Sequence, residues 1–201
     1  PVVHHNMGAM PMHAGDLDAS QRRLARALAQ REGDPGSTIS TLSMLAVVEL
    51  ERGDCDAAVD HAERAASLVE TEARGPKQRV HARGVLADAL VCAGAVQRGV
   101  TLAREAFAMT EAPDLRPDRG EVAEILADAE LAAGNQAASE AAAREALQLA
   151  TEPEQKAAAQ LRLARATVQQ DREAALALAR EALPSARRRD RARIETFLAS
   201  H

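Results

Sequence analysis

The chain has 201 residues, an apolar share of 46% and a net charge of −5 with both signs interspersed. It contains no Trp or Tyr and only two Phe, while Ala, Leu, Glu and Arg are in excess. This balance excludes a general nucleic-acid binder, which needs a basic face, and a membrane-spanning chain, which needs a long uncharged apolar run.

Ala and the straight-chain residues lose little conformational freedom on entering a helix, and alternating strand signals are nearly absent, so the chain is predicted to be all-α. A core with so few aromatics has to be thin, with helices packed closely over small side chains.

The opening stretch, His4-His5-Asn6-Met7-Gly8-Ala9-Met10-Pro11-Met12-His13, gathers three of the six histidines and three of the five methionines. Thioether and imidazole are ligands of soft ions such as Cu(I), which makes His5, Met12 and His13 candidate metal ligands. The competing reading is structural, because Met7 and Met10 serve equally well as fillers of an irregular helical core. Pro11 falls mid-helix, where it removes a hydrogen bond and clashes with the preceding turn at a cost of ~3 kcal/mol or more. A kinked or frayed first helix is therefore expected. The first residue is a proline set where a helix is already due, so further chain is expected upstream.

From there a short turn recurs: Ala14-Gly15-Asp16, Arg52-Gly53-Asp54, Ala93-Gly94-Ala95 and Ala133-Gly134-Asn135. Its glycines are 38, 41 and 40 residues apart. Before each stands a hydrophobic-small pair: Met7-Gly8, Leu45-Ala46, Leu86-Ala87 and Leu126-Ala127. After each comes a small-residue step (Ser20/Leu24, Ala58/Ala62, Gly99/Ala103, Ser139/Ala143), then Ala27, Ala65, Ala106 or Ala146. A fifth, degraded copy runs through Leu163-Ala164, Ala175/Ala179 and Ala182, with Gln169-Gln170-Asp171 replacing the glycine turn. Such a period predicts a helix-turn-helix unit in which glycine supplies the left-handed cap of the first helix and Asp16 or Asp54 caps the second. Proline-bearing joints at Pro35, Pro76, Pro113 with Pro117, and Pro153 separate the units, which span about 1–34, 38–74, 77–113, 117–152 and 154–184. No single pair buries its own apolar face, so the units must stack.

Pro184-Ser185 stops the last unit, and residues 187–199 read as a capping helix with Ile194, Phe197 and Leu198 facing inward. The run Arg187-Arg188-Arg189 with Arg191 and Arg193 is expected to be solvated, because Asp190 and Glu195 interrupt it and no stacking aromatics accompany it. Cys55 and Cys92 have neither metal-site spacing nor the density of a disulfide framework, which predicts thiols in a reducing cytosol, Cys92 being a half-buried helical residue. There is no P-loop, H-E-x-x-H, G-x-S-x-G or C-x-x-C pattern, and no carboxylate pair has a matching His or metal partner. No catalytic activity and no cofactor are expected.

These units resemble the tetratricopeptide repeat (TPR). The first carries the likeness best, through His4-x2-Met7-Gly8-x2-Pro11, Gly15-Asp16, Ser20-x3-Leu24 and Ala27; later units replace Leu-Gly with Leu-Ala and drop the aromatics. The period of about 40 is longer than the usual repeat and resembles that of the repeat domains of maltose-regulator-like (LuxR-type) bacterial regulators. The resemblance implies one domain over residues 1–201: a right-handed α-α superhelix, or solenoid, of about five repeats plus the cap. Its concave face would be lined by the first helix of each pair. The corresponding groove positions include Ser43, Val47 and Leu50 in the second unit, and Asp88, Val91 and Cys92 with His81 in the third. The fourth adds Glu124, Asp128 and Leu131 with Glu121, and the fifth Arg165.

The Lys/Asn/Arg set with which some relatives clamp a peptide carboxylate is missing, which disfavours chaperone-tail binding. Instead, Asp88, Glu121, Glu124 and Asp128 beside Val47, Leu50, Val91 and Leu131 suit a basic, partly apolar peptide or helix. The alternative is that these acids are ordinary surface charges and the groove is empty or self-filled. The leading expectation is a non-catalytic protein-interaction module, with the first unit as the place for a second copy to dock in a homodimer. The others are an effector-sensing or oligomerising arm of a bacterial transcriptional regulator, and an N-terminal copper site.

Overall fold

The computed structural model describes residues 17–30 and 34–201. Pro11 and the metal candidates His5, Met12 and His13 lie outside the described residues, as does the expected turn at Gly15-Asp16. Ten α-helices and no strand occur among the described residues. They are α1 (Leu17–Gln30), α2 (Pro35–Arg52), α3 (Cys55–Thr71), α4 (Pro76–Cys92), α5 (Val96–Met109), α6 (Arg119–Ala132), α7 (Gln136–Leu149), α8 (Pro153–Thr167), α9 (Arg172–Ala182) and α10 (Arg188–Ser200).

The recurring turn does what its residues dictate. Gly53, Gly94 and Gly134 stand at φ of 79°, 81° and 79°, the left-handed region that glycine enters without a Cβ penalty. Asp54 then caps α3 by accepting from Ala57 N at 3.2 Å. The fifth turn lacks glycine, yet Asp171 caps α9 in the same manner, accepting from Ala174 N at 3.0 Å. Pro35, Pro76 and Pro153 occupy first helical positions, where the missing N–H costs nothing.

The first helices of successive pairs (α2, α4, α6, α8) touch one another in order, while each second helix packs against its own first helix and the next. The result is a solenoid with an inner wall of first helices. Its core is built largely from alanine. Ala58, Ala62, Ala103, Ala143, Ala175 and Ala179 are all buried at the helix crossings, joined by Gly99 and Ser139. Ser139 Oγ satisfies itself on the Ala127 carbonyl at 2.8 Å. Small side chains here let backbones approach, which is how the fold dispenses with aromatics.

Two buried acids tie successive units together. Glu49 and Glu130 each stand four residues before a turn glycine and reach back to the preceding second helix. Glu49 accepts from Gln21 Nε2 at 2.7 Å; Glu130 takes Arg104 through two bonds of 2.6 and 2.9 Å and Asn135 Nδ2 at 2.8 Å. At the α5–α6 joint Arg119 lies 4.0 Å from the Phe107 ring centre, donates to Thr110 Oγ1 at 3.1 Å and pairs with Glu145.

The thiol expectation is overturned: Cys55 and Cys92 form a disulfide, with Cα atoms 5.4 Å apart. Cys55 follows Gly53 by two residues and Cys92 precedes Gly94 by two, so stacking successive units brings the two turn regions side by side. Cys92 is exposed at the end of α4 rather than half-buried within it.

Gly99 gives the sharpest packing constraint. A Cβ there would fall 2.6 Å from Val91 Cγ2 and 3.0 Å from the Ala87 carbonyl oxygen, a backbone atom that cannot swing aside. Gly99→Ala is expected to cost about 1–3 kcal/mol in urea denaturation despite the better helix propensity of Ala; an unchanged midpoint would contradict the close α4–α5 crossing.

Candidate partner-binding groove

Three of the expected acids come together on the inner wall. Asp88 of α4 and Glu124 and Asp128 of α6 project into the concavity, joined by Glu51 near the end of α2. The concavity is occupied by α10. Its inner side carries Ile194, fully buried, and Phe197 and Leu198, which pack against Ala157, Leu161, Ala164, Leu176 and Ala179 of α8 and α9. That apolar footing aims the helix's arginines across the wall. Arg189 meets Asp88 at 3.0 Å and Glu51 at 4.0 Å, and Arg193 reaches Asp128 at 3.5 Å.

The centre of the arrangement is Arg162, which the sequence reading did not single out. It stands between Leu161 and Leu163 on α8 with only 10% of its side chain exposed. It contacts Asp128 at 3.1 Å, Glu124 at 3.4 Å and Asp190 of α10 at 3.8 Å, and donates to the Glu124 carbonyl at 3.2 Å and the Ala158 carbonyl at 2.9 Å. Arg165 completes Asp128's shell at 2.9 Å. The signal for Arg162 was present in the sequence: an arginine amid the apolar run Leu161-Arg162-Leu163-Ala164 is either mis-faced or paired.

The electrostatics follow from this packing. Burial alone raises the Asp128 carboxyl's pKa, but Arg162, Arg193, Arg165 and Arg189 outweigh it and hold the group below the usual carboxylate range. Glu124 goes the other way. Burial, aided by Asp190, Glu121 and Asp128, pushes it up to about 7 against the pull of Arg162. Burial also raises Glu51. Five carboxyls (Glu51, Asp88, Glu124, Asp128, Asp190) thus face four guanidiniums (Arg162, Arg165, Arg189, Arg193), and one proton on Glu124 brings the set to neutrality.

The other expected groove residues are dispersed. Leu50 is turned into the α2–α3–α4 core with Val47 half-buried beside it, and Val91 fills the α4–α5 crossing against Gly99. Ser43 is buried, its hydroxyl without a protein partner among the described residues. Leu131 is half-buried, while His81 and Glu121 are exposed, on the same helix faces as Asp88 and Asp128 but outside their ion pairs. The α2, α4 and α6 part of the wall therefore meets α10 through charge, the apolar contacts lie on α8 and α9, and Leu149 is the one large apolar side chain exposed among the described residues. The expectation of a solvated arginine run is also corrected: Arg189 and Arg193 are inserted into the wall, whereas Arg187 and Arg191 remain outside.

Comparison with known proteins agrees with this architecture. Residues 1–71 match the tetratricopeptide repeat family. A thermophilic TPR protein of Thermus thermophilus superposes with a TM-score of 0.63 at 23% identity, covering 92% of this chain and 89% of that one. BtubC from P. vanneervenii gives a TM-score of 0.63 at 15% identity, over 92% and 79% of the two chains. A Podosopora anserina protein of nearly identical TPR-like repeats gives 0.58 at 21% identity over 83% of each. The fold is a TPR-type solenoid. Comparison with curated protein sequences returns no match. TPR repeats generally mediate protein–protein interaction and act as non-catalytic scaffolds. No helix among the described residues is long and apolar enough to cross a membrane.

The raised Glu124 pKa fixes a pH dependence. The unfolded carboxyl titrates near 4.5 and the folded one at about 7, so the folded state holds the extra proton between them. Its stabilising effect is complete below the lower value and lost as pH rises through the upper one. Thermal melts are expected to show stability falling between pH 5 and pH 8 in the wild type, and a flatter profile in Glu124→Gln. Parallel profiles would place the titrating proton elsewhere.

Proposed function

We propose that the chain is a non-catalytic protein-interaction module whose concave wall receives a basic, amphipathic helical segment in competition with its own α10. The carrying observation is that the acids Glu51, Asp88 and Asp128 already hold such a segment. Arg189 and Arg193, one turn apart, and Ile194 and Phe197 further on define its pattern: two arginines to the acids, two apolar residues to the alanine-lined floor.

Charge complementarity gives such a surface its selectivity and association rate more than its affinity. Helix-in-groove recognition needs apolar anchors at helical spacing, which Ile194 and Phe197 exemplify. An intramolecular helix is present at high effective concentration, so an outside segment competes only when α10 is weakened or the incoming helix makes additional contacts. A cytosolic setting is part of this reading.

The test is a labelled peptide of residues 187–201 titrated by fluorescence anisotropy into the full chain carrying Arg189→Ala with Phe197→Ala, which loosens the resident helix at its charged and apolar contacts. Saturable binding is expected, at least ~10-fold tighter than to the wild type, and weakened several-fold by adding Asp88→Asn. No saturable binding to the loosened chain, with helicity intact by circular dichroism, would refute the groove reading.

A further inference from the structure

We propose that the Cys55–Cys92 disulfide is a thiol–disulfide exchange site that sets how firmly the first turns of α10 are held in the groove. The inference rests on the groove reading and adds a means of controlling it. Arg189 is held by two acids on two different units, Glu51 on α2 and Asp88 on α4. The disulfide joins those same two units at the same end. Cys92 lies one helical turn beyond Asp88 on the same face of α4, and Cys55 opens α3 four residues after Glu51. Asp88 and Cys92, four apart on α4, are surface neighbours, and Cys55 is tied to Glu51 through the short turn at Gly53, so the bond tethers the two chain segments that carry the acids sharing Arg189. The cross-link, spanning 37 residues, restricts chain freedom and holds the start of α3 against the end of α4 in the folded state, so opening it releases that tether.

The two sulfurs are not equivalent. Cys92 is exposed at the C-terminal end of α4, open to attack. Cys55 is half-buried in the first turn of α3, where unpaired backbone N–H groups favour a thiolate, although Asp54 and Asp56 on either side temper the effect. Attack at Cys92 with departure of Cys55 is therefore the favoured direction. The reductant is a dithiol of the thioredoxin class or its small-molecule equivalent. One of its thiolates attacks Cys92 Sγ, the protein S–S bond breaks, and Cys55 leaves as a thiolate that takes up a proton. The second thiol of the reductant then displaces Cys92 from the mixed disulfide. Two electrons and two protons pass from the dithiol to the protein, and the dithiol becomes a disulfide. Reduction leaves Ile194 and Phe197 seated but frees Glu51 and Asp88 to drift apart, which loosens the N-terminal part of α10.

Hydrogen exchange on the full chain tests this, with dithiothreitol as the reductant and the α6–α7 amides as internal reference. On reduction, the amides of Arg191–Arg193 are expected to exchange about tenfold faster relative to the reference, and Cys55→Ser/Cys92→Ser is expected to match the reduced wild type with or without reductant. Equal relative exchange in the oxidised and reduced wild type, or acceleration uniform across α6, α7 and α10, would overturn the proposal; the wild-type pair suffices should the double variant fold poorly. Failure here with peptide binding intact removes only the redox control, whereas absence of peptide binding to the loosened chain removes the groove reading itself.

Discussion

A guanidinium cannot leave water without partners, and Arg162 of α8 has left it almost entirely. An isolated buried charge is prohibitively costly, and its burial is tolerated only where carboxylates and carbonyls complete its coordination. Here those partners come from three places in the chain: Glu124 and Asp128 on the neighbouring first helix, Asp190 on the terminal helix, and the carbonyls of Ala158 and Glu124. Because Asp128 in turn pairs with Arg165 and with Arg193 of α10, and Asp190 of α10 faces Arg162 directly, this buried charge ties the position of α10 to the polarity of the concave wall. The alanine core sets how near the helices come; the charge network sets what they enclose.

This division of labour accounts for the character of the molecule. Alanine crossings bury little apolar area per residue and give a stack whose units contact only their neighbours. Such a stack gains from features that span more than one unit. Glu49 and Glu130 supply them between adjacent units, the disulfide between the second and third, and Arg189, which reaches from the end of the chain to α4 and α2, over the longest separation. The resident helix is thus both a lid for the apolar end and a basic ligand for the acidic wall.

The period and the glycine turns were legible in the sequence because a left-handed cap admits few residues and recurs in phase: Gly53, Gly94 and Gly134 could be read directly. The inward side of α10 was legible because Ile194 and Phe197 stand out in an arginine-rich helix. The groove was only half legible. Period alone locates a face to within about a third of a helix's circumference, enough to find Asp88, Glu124 and Asp128 but not to keep Leu50 and Val91 out of the wall. Arg162 left a signal in its apolar neighbours Leu161 and Leu163, but an arginine is expected outside until its partners are known. The cysteines were hidden by a rule that counts density, whereas here the stacking of units brings two turns together. Their offsets from Gly53 and Gly94 carried that information.

The central claim is that Arg162 and Asp128 are interdependent and that the wall is organised around their pairing. A double-mutant cycle in urea denaturation measures this directly, using Arg162→Met, Asp128→Leu and the combination. The account predicts that each single change costs about 3–5 kcal/mol, by stranding the opposite charge, and that the pair together costs clearly less than the sum. Additive losses would mean that the two charges are held independently, and would contradict a concave wall built on one buried ion pair.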